Sequence, residues 1–389
     1  MMTTYNWPLM KDAITLSERF KVAKFALTTE QFTRGEQCLR FEEEWNSWLG
    51  SEYSLFVSNG STANFLLVAS VMEKYGLKPG DKVLLPACTW VTNVAPIIQL
   101  GLQPVFCDIN IENFSFDRES LRLVSRLHDD IKLIFITHLL GFRADDHVLK
   151  QLFPKALIID DVCESHGVVD RNGDKIGSHS LGATFSFYFG HHMTTVEGGM
   201  VSTYDPELYD IMRMKRSHGM ARESLFFKEY AAKNPELSPQ FLFITNGYNF
   251  RNHEIPAVIG RSQLKKLDKS IRIREKNFNE FRKYVNNNSD KFYWIHSNKG
   301  NSSFCLPIIA KTLHTKNKLK NMLDDASIES RPVVGGNLLR HPFLKGHQLI
   351  SAHEKSNADI VNDYGLYVGN NQFVTERDIK KLGGILDNV

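Results

Sequence analysis

The sequence predicts an α/β fold with a mainly parallel sheet. Short apolar runs rich in β-branched residues alternate with longer helical patterns in the first half of the chain, and this alternation is typical of βαβ units. From about residue 253, a long charged helical stretch leads into short strands and helices. We therefore expect a large α/β domain over 1–259, which includes an N-terminal helical segment, and a smaller α+β domain over 260–389.

The predicted elements of the large domain follow one another in a regular order. A strand over 52–58 leads into a helix over 61–76 that opens with Ser and Thr, and the next strand covers 81–86. The remaining elements are strands at 103–109, 131–140 and 155–161 and crossover helices at 118–128 and 145–153. Strands that are joined by crossover helices run parallel in one sheet.

A predicted helix over 254–288 leads into the smaller domain. It contains the run Arg-Ile-Arg-Glu-Lys at 272–276, which we interpret as a charged face of this helix. Two short strands are predicted after the helix, at 292–297 and 302–309.

The composition indicates which kinds of protein and which binding partners the sequence favours. The chain of 389 residues is 42% hydrophobic, and its net charge of +3 arises from 47 basic and 44 acidic residues without a basic block, so we expect no nucleic-acid partner. The N-terminal stretch lacks the order of a signal peptide, and no apolar run reaches the ~18 residues of a membrane span. Five cysteines without a CxxC pair fit isolated thiols in a reducing compartment. We expect a cytoplasmic protein with no membrane, no metal and no iron–sulfur cluster.

The motif SNGSTAN joins a predicted strand to a predicted helix. The backbone N–H groups of Gly60, Ser61 and Thr62 would point outward at the helix N-terminus and favour a phosphate. A plain N-cap with a glycine turn is the alternative, and for this motif alone it is the commoner arrangement.

Two further motifs place candidate residues at strand ends. The motif PACTWVTN puts Trp90 just beyond the carboxyl end of a strand, where ligands of open α/β sheets bind, although a single Trp more often belongs to a core. The motif IIDDVCESHG ends a buried strand with Asp160 and Asp161 and adds Glu164 one helical turn later. Acids at this position suggest a site, but an Asp can also cap the following helix.

The order of these motifs, followed by SFYFGHH and EGG, resembles the sugar aminotransferase family of fold-type I pyridoxal phosphate enzymes. The match runs from about residue 28 to 389. The resemblance implies a fold-type I aminotransferase-like structure, with a seven-stranded-type sheet in the large domain, and pyridoxal phosphate or pyridoxamine phosphate as the cofactor.

The same resemblance implies a role for each matching residue. Gly60, Ser61, Thr62 and Ser186 would hold the cofactor phosphate, and Trp90 would stack on the pyridine ring. Asp161 would pair with the ring nitrogen, and Glu164 would contact the ring hydroxyl. The segment GYNFR resembles the family segment whose asparagine, here Asn249, reaches the cofactor phosphate of the partner subunit. The resemblance therefore implies a homodimer with shared active sites.

One position departs from the aminotransferase pattern. Family aminotransferases have a lysine five residues after the serine of the SF pair, whereas this chain has His191 there. An imidazole cannot form the covalent bond that a lysine amine makes with the cofactor, but it can act as a base. The HH pair resembles the 3-dehydratases of 3,6-dideoxysugar formation, of which one kind uses extra cysteines for an iron–sulfur cluster. Because only Cys305 follows His191 in this chain, the cluster-free kind is more similar.

The resemblance also implies a reaction. L-Glutamate would convert pyridoxal phosphate to pyridoxamine phosphate, and the amine would condense with the keto group of a nucleotide-linked 4-keto-6-deoxysugar, GDP-4-keto-6-deoxymannose. His191 would move the proton as the 3-hydroxyl leaves, and hydrolysis would release ammonia. Two alternatives stay open: a dehydratase of a CDP-linked or heptose nucleotide, and a binding protein of this fold that has lost catalysis.

Several other polar residues in or near the motifs have both a functional and a purely structural interpretation. His218 and Arg222 match a family stretch that reaches the active site, where an arginine could hold the carboxylate of glutamate. The alternative, which the sequence favours equally, is that both residues belong to a solvated helix end without a role in the site. Arg331 resembles a substrate-facing residue, or else it is a surface residue of a strand. We interpret His192 as a structural neighbour and His166 as a packing residue.

Overall fold

The computed structural model describes residues 5–144, 147–296 and 300–389. Its strands are β1 (Tyr53–Val57), β2 (Lys82–Pro86), β3 (Gln103–Cys107), β4 (Ile131–Thr137), β5 (Leu157–Asp161), β6 (Ala183–Ser186), β7 (Gly199–Thr203), β8 (Cys305–Ile309), β9 (Ser330–Pro332), β10 (Leu349–Ile350) and β11 (Gly365–Gly369). Its α-helices are α1 (Leu16–Thr28), α2 (Glu36–Leu49), α3 (Gly60–Tyr75), α4 (Val91–Gln99), α5 (Arg118–Leu127), α6 (His147–Leu152), α7 (Pro206–Arg216), α8 (Phe227–Lys233), α9 (Glu254–Asn287), α10 (Leu313–Asp325), α11 (Asn357–Tyr364) and α12 (Glu376–Asn388).

The large sheet has the strand order β1-β7-β6-β5-β4-β2-β3-β10. Strand β7 runs antiparallel to its neighbours β1 and β6, whereas the other neighbouring pairs are parallel. The predicted α/β fold with a mainly parallel sheet is therefore confirmed. The sheet contains the seven strands β1 to β7, and the two-residue strand β10 from the C-terminal part of the chain adds an eighth at the edge.

Apolar strands and amphipathic helices explain why this sheet forms. Strand β4, Ile131–Thr137, is buried at six of its seven positions, as expected for a central parallel strand that helices cover on both faces. Helix α3 begins with a capping box between Asn59 and Thr62, and it ends at Gly76, whose φ of 68° lies in the left-handed region. These local signals place the start of α3 directly after β1.

The C-terminal part of the chain is built around a second sheet and one long helix. Strands β8, β11 and β9 form an antiparallel sheet in that spatial order. Helix α9 packs against α1 and α2 and also against α12 and β8. Because α9 runs without a break through residues 259 and 260, the proposed domain boundary falls inside a helix and stays a prediction.

Two predictions for this region are wrong. Residues 292–296 form no strand: Phe292 makes a single bridge to Ala310, and the side-chain amide of Asn286 binds the backbone N–H and C=O of Ile295. The run 272–276 is not simply a charged face, because the side chain of Arg274 is buried. The last residue of the strand predicted at 292–297, and the first two residues of the helix predicted at 145–153, lie outside the described residues.

No helix within the described parts of the chain combines the length and the apolar character needed to cross a membrane.

Candidate active site

A cavity of about 530 Å³ opens where the parallel strands end, and we call it the strand-end cavity. Open α/β sheets bind their ligands at this edge. Strands β4, β5 and β6 contribute residues from their carboxyl ends, such as Thr137, Asp161 and Ser186. Eight of the residues predicted from the sequence line the cavity: Gly60, Ser61, Trp90, Asp161, Glu164, Ser186, His191 and Arg331.

One end of the strand-end cavity is formed by the start of helix α3. The N–H groups of Gly60 and Ser61 precede the first intrahelical hydrogen bond of α3, which Ala63 donates to Asn59, so they can bind an anion. Ser186 lies against this turn, because a Cβ atom added to Gly60 would be 2.7 Å from the Cβ atom of Ser186.

The structure does not place Thr62 beside Gly60 and Ser61 in the cavity lining. Its backbone N–H donates to Oδ1 of Asn59 at 2.9 Å, and its hydroxyl oxygen accepts from the backbone N–H of Asn59 at 3.2 Å. Thr62 therefore closes the capping box of α3, and its predicted contact with a phosphate stays a prediction.

Asp161 places a buried carboxyl group at the end of β5. Its side chain accepts a hydrogen bond from the backbone N–H of Cys163 at 2.9 Å, and the residue is 3% exposed. Within the described ranges, no lysine, arginine or histidine forms an ion pair with it. A buried carboxylate without a cation suits a positively charged ligand group.

Glu164 adds a second carboxyl group to the same cavity. Burial raises the pKa of its carboxyl group to about 7, although the backbone N–H of Leu140, 3.0 Å away, favours the charged form. Near neutral pH the carboxyl group of Glu164 can therefore both donate and accept hydrogen bonds.

The ring of His191 lies between the cavity and the protein interior. Burial and the nearby charge of Arg274 lower the pKa of this imidazole to about 3, although the backbone of Cys163 accepts a hydrogen bond that favours the charged form. The Nδ1 atom of His191 is buried and has no partner in the described part of the chain. The ring is neutral at physiological pH and can accept a proton.

The neighbouring histidines are held as structural groups. His192 is buried, and its Nε2 atom lies 3.0 Å from the Ser302 carbonyl. His166 is buried with its ring 5.7 Å from the ring of Phe187. Both positions agree with their interpretation as packing residues.

Three predicted residues lie on the protein surface, away from the strand-end cavity. His218 has a φ of 65°, and its Nε2 atom is 3.4 Å from Nη2 of Arg251. Arg222 lies near Glu223, with 3.9 Å between Nε and Oε1. Asn249 is exposed beside the backbone of Ser217. This single chain does not bring them to the cavity, so their roles stay predictions.

Several lining residues carry no assignment from the sequence. Tyr188 and Glu197 belong to the motif around His191, so their place at the cavity could have been inferred from it. Met10, Phe304 and Tyr367 come from distant parts of the chain. Only the folded structure brings these three residues to the cavity.

Comparisons with known proteins agree with this geometry. A curated GDP-4-keto-6-deoxy-D-mannose 3-dehydratase of Yersinia pseudotuberculosis is 35% identical over 391 residues, which cover 98% of each chain. A solved structure of the E. coli GDP-4-keto-6-deoxy-D-mannose-3-dehydratase with bound hydrated PLP has a TM-score of 0.90 and 31% identity, and the match covers 99% of this chain and 100% of that chain. Another, of GDP-4-keto-6-deoxymannose-3-dehydratase with a trapped PLP-glutamate geminal diamine, has a TM-score of 0.86 and 30% identity, covering 98% and 100%.

The family model described as the DegT/DnrJ/EryC1/StrS aminotransferase family matches residues 14–383. This range includes the residues of the strand-end cavity except Met10. The chain belongs to the DegT/DnrJ/EryC1/StrS aminotransferase family.

Proposed function

We propose that this chain is a pyridoxamine phosphate-dependent 3-dehydratase. It removes the 3-hydroxyl group of a nucleotide-linked 4-keto-6-deoxyhexose, GDP-4-keto-6-deoxymannose, with L-glutamate as the amino donor, in colitose-type 3,6-dideoxysugar biosynthesis. The full-length similarity to proteins named for this reaction supports the substrate. The related structure with a trapped PLP-glutamate geminal diamine supports the amino donor.

One observation carries this proposal. His191 lines the strand-end cavity five residues after Ser186, at the position where the sequence comparison with aminotransferases expects lysine, and no lysine is among the described residues of the lining. A lysine would compete for the bound cofactor through its amine, whereas an imidazole can only exchange protons there. The site is therefore suited to elimination rather than to amino transfer onto the sugar.

The donor set of the cavity fits this cofactor. The free N–H groups of Gly60 and Ser61, with the hydroxyl of Ser186, would hold its phosphate. The buried carboxylate of Asp161 would pair with a protonated ring nitrogen, and Trp90 would cover the ring face. When bound, pyridoxamine phosphate supplies the amine that condenses with the 4-keto group and a ring that accepts electrons.

The residues of the chain then handle protons and charge. His191 is neutral, so it can accept a proton from the carbon that bears the cofactor amine as the 3-hydroxyl leaves. Glu164 can share a hydrogen bond with the ring hydroxyl in either protonation state. Asp161 would stabilise positive charge at the ring nitrogen when the cofactor is bound.

We also infer a cytoplasmic homodimer with shared active sites. His218, Arg222 and Asn249 lie outside the cavity of their own chain and are exposed, which suits residues that reach a partner's cofactor or substrate. Phe241 and Phe243 are also exposed, at 65% and 54%, and apolar groups of this size favour an interface.

Incubation of the purified protein with pyridoxal phosphate, L-glutamate and GDP-4-keto-6-deoxymannose tests the reaction. We expect mass spectrometry to show loss of one oxygen from the sugar, with release of ammonia and 2-oxoglutarate. A 4-amino sugar would show an aminotransferase instead. No product with this substrate, but turnover of a CDP-linked or heptose nucleotide, would contradict the proposed sugar nucleotide and keep the reaction type.

A further inference from the structure

Two buried asparagines donate to the same oxygen of Asp161. The Nδ2 atoms of Asn64 and Asn93 lie 3.0 Å and 2.8 Å from Oδ2 of Asp161. We propose that Asn64 and Asn93 are positioning residues that hold the Asp161 carboxylate in place, aimed at the ring nitrogen of the cofactor. The inference rests on the proposed function, since it assigns a task to Asp161 that only a pyridoxal phosphate-type cofactor requires.

Both amides are also held at their other ends. The Oδ1 atom of Asn64 accepts a hydrogen bond from the hydroxyl of Thr184 at 2.6 Å, and that of Asn93 accepts one from the hydroxyl of Thr89 at 2.9 Å. The carboxylate oxygen of Asp161 can only accept hydrogen bonds, so the NH₂ group of each asparagine faces it and each Oδ1 atom is left to accept from the threonine hydroxyl. Both asparagines are completely buried, and bulk water cannot replace their donation.

This network connects the two ends of the strand-end cavity. Asn64 lies on α3 one turn after Gly60, whose N–H group faces the proposed phosphate position. Asn93 lies on α4, just after Trp90, which we place over the ring. A shift of either helix would therefore move Asp161 relative to the phosphate or to the ring face.

The donors around Asp161 are neutral groups. Together with the Cys163 N–H, the two amides give the carboxylate three hydrogen bonds from neutral groups. Hydrogen bonds to an ionised carboxylate favour its charged form without neutralising it. Since no cation pairs with Asp161 among the described residues, its full charge stays available to the ring N–H.

Both asparagines belong to the two motifs that supply the proposed phosphate and ring contacts. Asn64 is the last residue of SNGSTAN, and Asn93 is the last residue of PACTWVTN. The remaining candidate residues of these motifs were assigned to the phosphate and the ring face. The structure gives the two asparagines a common partner.

The test uses the holoenzyme loaded with pyridoxal phosphate that carries ¹⁵N in the ring. The ¹⁵N chemical shift distinguishes a protonated ring from a neutral one, and fluorescence titration gives the dissociation constant of the cofactor. In Asn64→Ala and Asn93→Ala we expect the shift to move towards that of the neutral ring and the dissociation constant to rise about tenfold. Asn93→Leu preserves the branching and the number of heavy atoms of the side chain and is the second variant if the alanine variants fold poorly.

Asn288→Ala is the matched control. Asn288 is also buried, and its Nδ2 atom donates to an aspartate, Asp387, at 2.7 Å, but neither residue lines the cavity. We expect this variant to lose thermal stability while the ring shift stays unchanged. Unchanged shifts and dissociation constants in the Asn64 and Asn93 variants would overturn the inference. Failure of the unmodified protein to bind the cofactor would instead reject the proposed function.

Discussion

The guanidinium group of Arg274 holds the backbone carbonyl of His191, with 3.3 Å between Nη2 and the oxygen. The same side chain donates from Nη1 to the carbonyls of Phe304, at 2.9 Å, and Asn370. Burial lowers the pKa of Arg274 to about 10, so it remains charged at neutral pH. A single side chain from α9 thus joins the loop of the proposed catalytic base to two segments of the C-terminal part.

Replacement of Arg274 tests this connection. In Arg274→Met, three carbonyl oxygens, one buried and two partly buried, lose this donor, and we expect the free energy of unfolding to fall by about 3 kcal/mol. The pKa of His191 should also rise, because Arg274 disfavours its charged form. Urea denaturation and NMR titration of the imidazole measure the two effects. Arg272→Met, an exposed position of the same helix, should change neither quantity appreciably.

The proposed base gives a second prediction. We expect His191→Asn to bind the cofactor but to lower the rate of dehydration by about 10²–10⁴-fold, since no other group would move the proton. His191→Lys should form a covalent bond with the cofactor, visible in the absorbance spectrum, and lose or divert dehydration. His192→Asn is the control: stability should decrease because the contact with Ser302 is lost, whereas the rate should stay within a few-fold. An unchanged rate of dehydration in both His191 variants would exclude His191 as the base.

Much of the fold could be predicted because its elements depend on local patterns. The strand predicted at 81–86 is observed at 82–86, and the helix predicted at 254–288 is observed at 254–287. The strand predicted at 292–297 failed because the side chain of Asn286 binds the backbone there in place of a neighbouring strand. A side chain that competes for backbone hydrogen bonds leaves no periodic signal.

The proposed site was only partly accessible from the sequence. Motifs at strand ends predicted several lining residues, since parallel strands deliver their carboxyl ends to one edge of the sheet. The burial of Arg274 could not be predicted, because its partners are backbone carbonyls and no acidic residue marks them. Met10 reaches the cavity from the N-terminal segment, and such a contact depends on tertiary packing alone.

A third prediction concerns the pH dependence of stability. Burial raises the pKa of Glu275 from its ordinary value of 4.5 to about 7, so the folded state favours the protonated acid. The ionised carboxylate therefore destabilises the fold, and this loss of stability develops as pH rises from about 4.5 through 7. Glu275→Gln stays neutral and can still accept the N–H of Ser303. We expect it to be more stable than the parent by about 3 kcal/mol at pH 8, with little difference at pH 4.

Chemical denaturation at several pH values measures this difference. Glu280→Gln is the control on the same helix, since Glu280 is 48% exposed and pairs with Lys283. Its effect should be below about 0.5 kcal/mol at pH 8. A constant difference between Glu275→Gln and the parent from pH 4 to pH 8 would contradict the raised pKa.

The proposed phosphate site gives a fourth prediction. In Gly60→Ala the new Cβ atom would lie 2.7 Å from the Cβ atom of Ser186, so the turn and the serine must separate. We expect cofactor affinity to fall about tenfold or more, because overpacking of this kind costs about 1–3 kcal/mol. Gly384→Ala is the control, because a Cβ atom there meets no other atom within 4 Å. It should leave affinity unchanged and stabilise α12 slightly.

The proposed sharing of sites between subunits predicts the behaviour of hybrid dimers. If Asn249 serves the partner's phosphate, Asn249→Asp places a carboxylate against that phosphate and inactivates the partner's site. A hybrid with His191→Asn then has both lesions in one site and an intact second site. When equal amounts of the two inactive variants are co-refolded, half of the dimers are hybrids, so we expect about a quarter of the parent activity to return.

A second mixture makes this result specific. Ser61→Asp also introduces a carboxylate against the phosphate, but Ser61 lines the cavity of its own chain. In a hybrid of Ser61→Asp with His191→Asn each site carries one lesion, so no activity should return. Recovery in the Asn249 mixture alone places Asn249 in the partner's site. No recovery in either mixture, with hybrid dimers verified by mass spectrometry, would mean that Asn249 acts within its own chain or has no role at the phosphate.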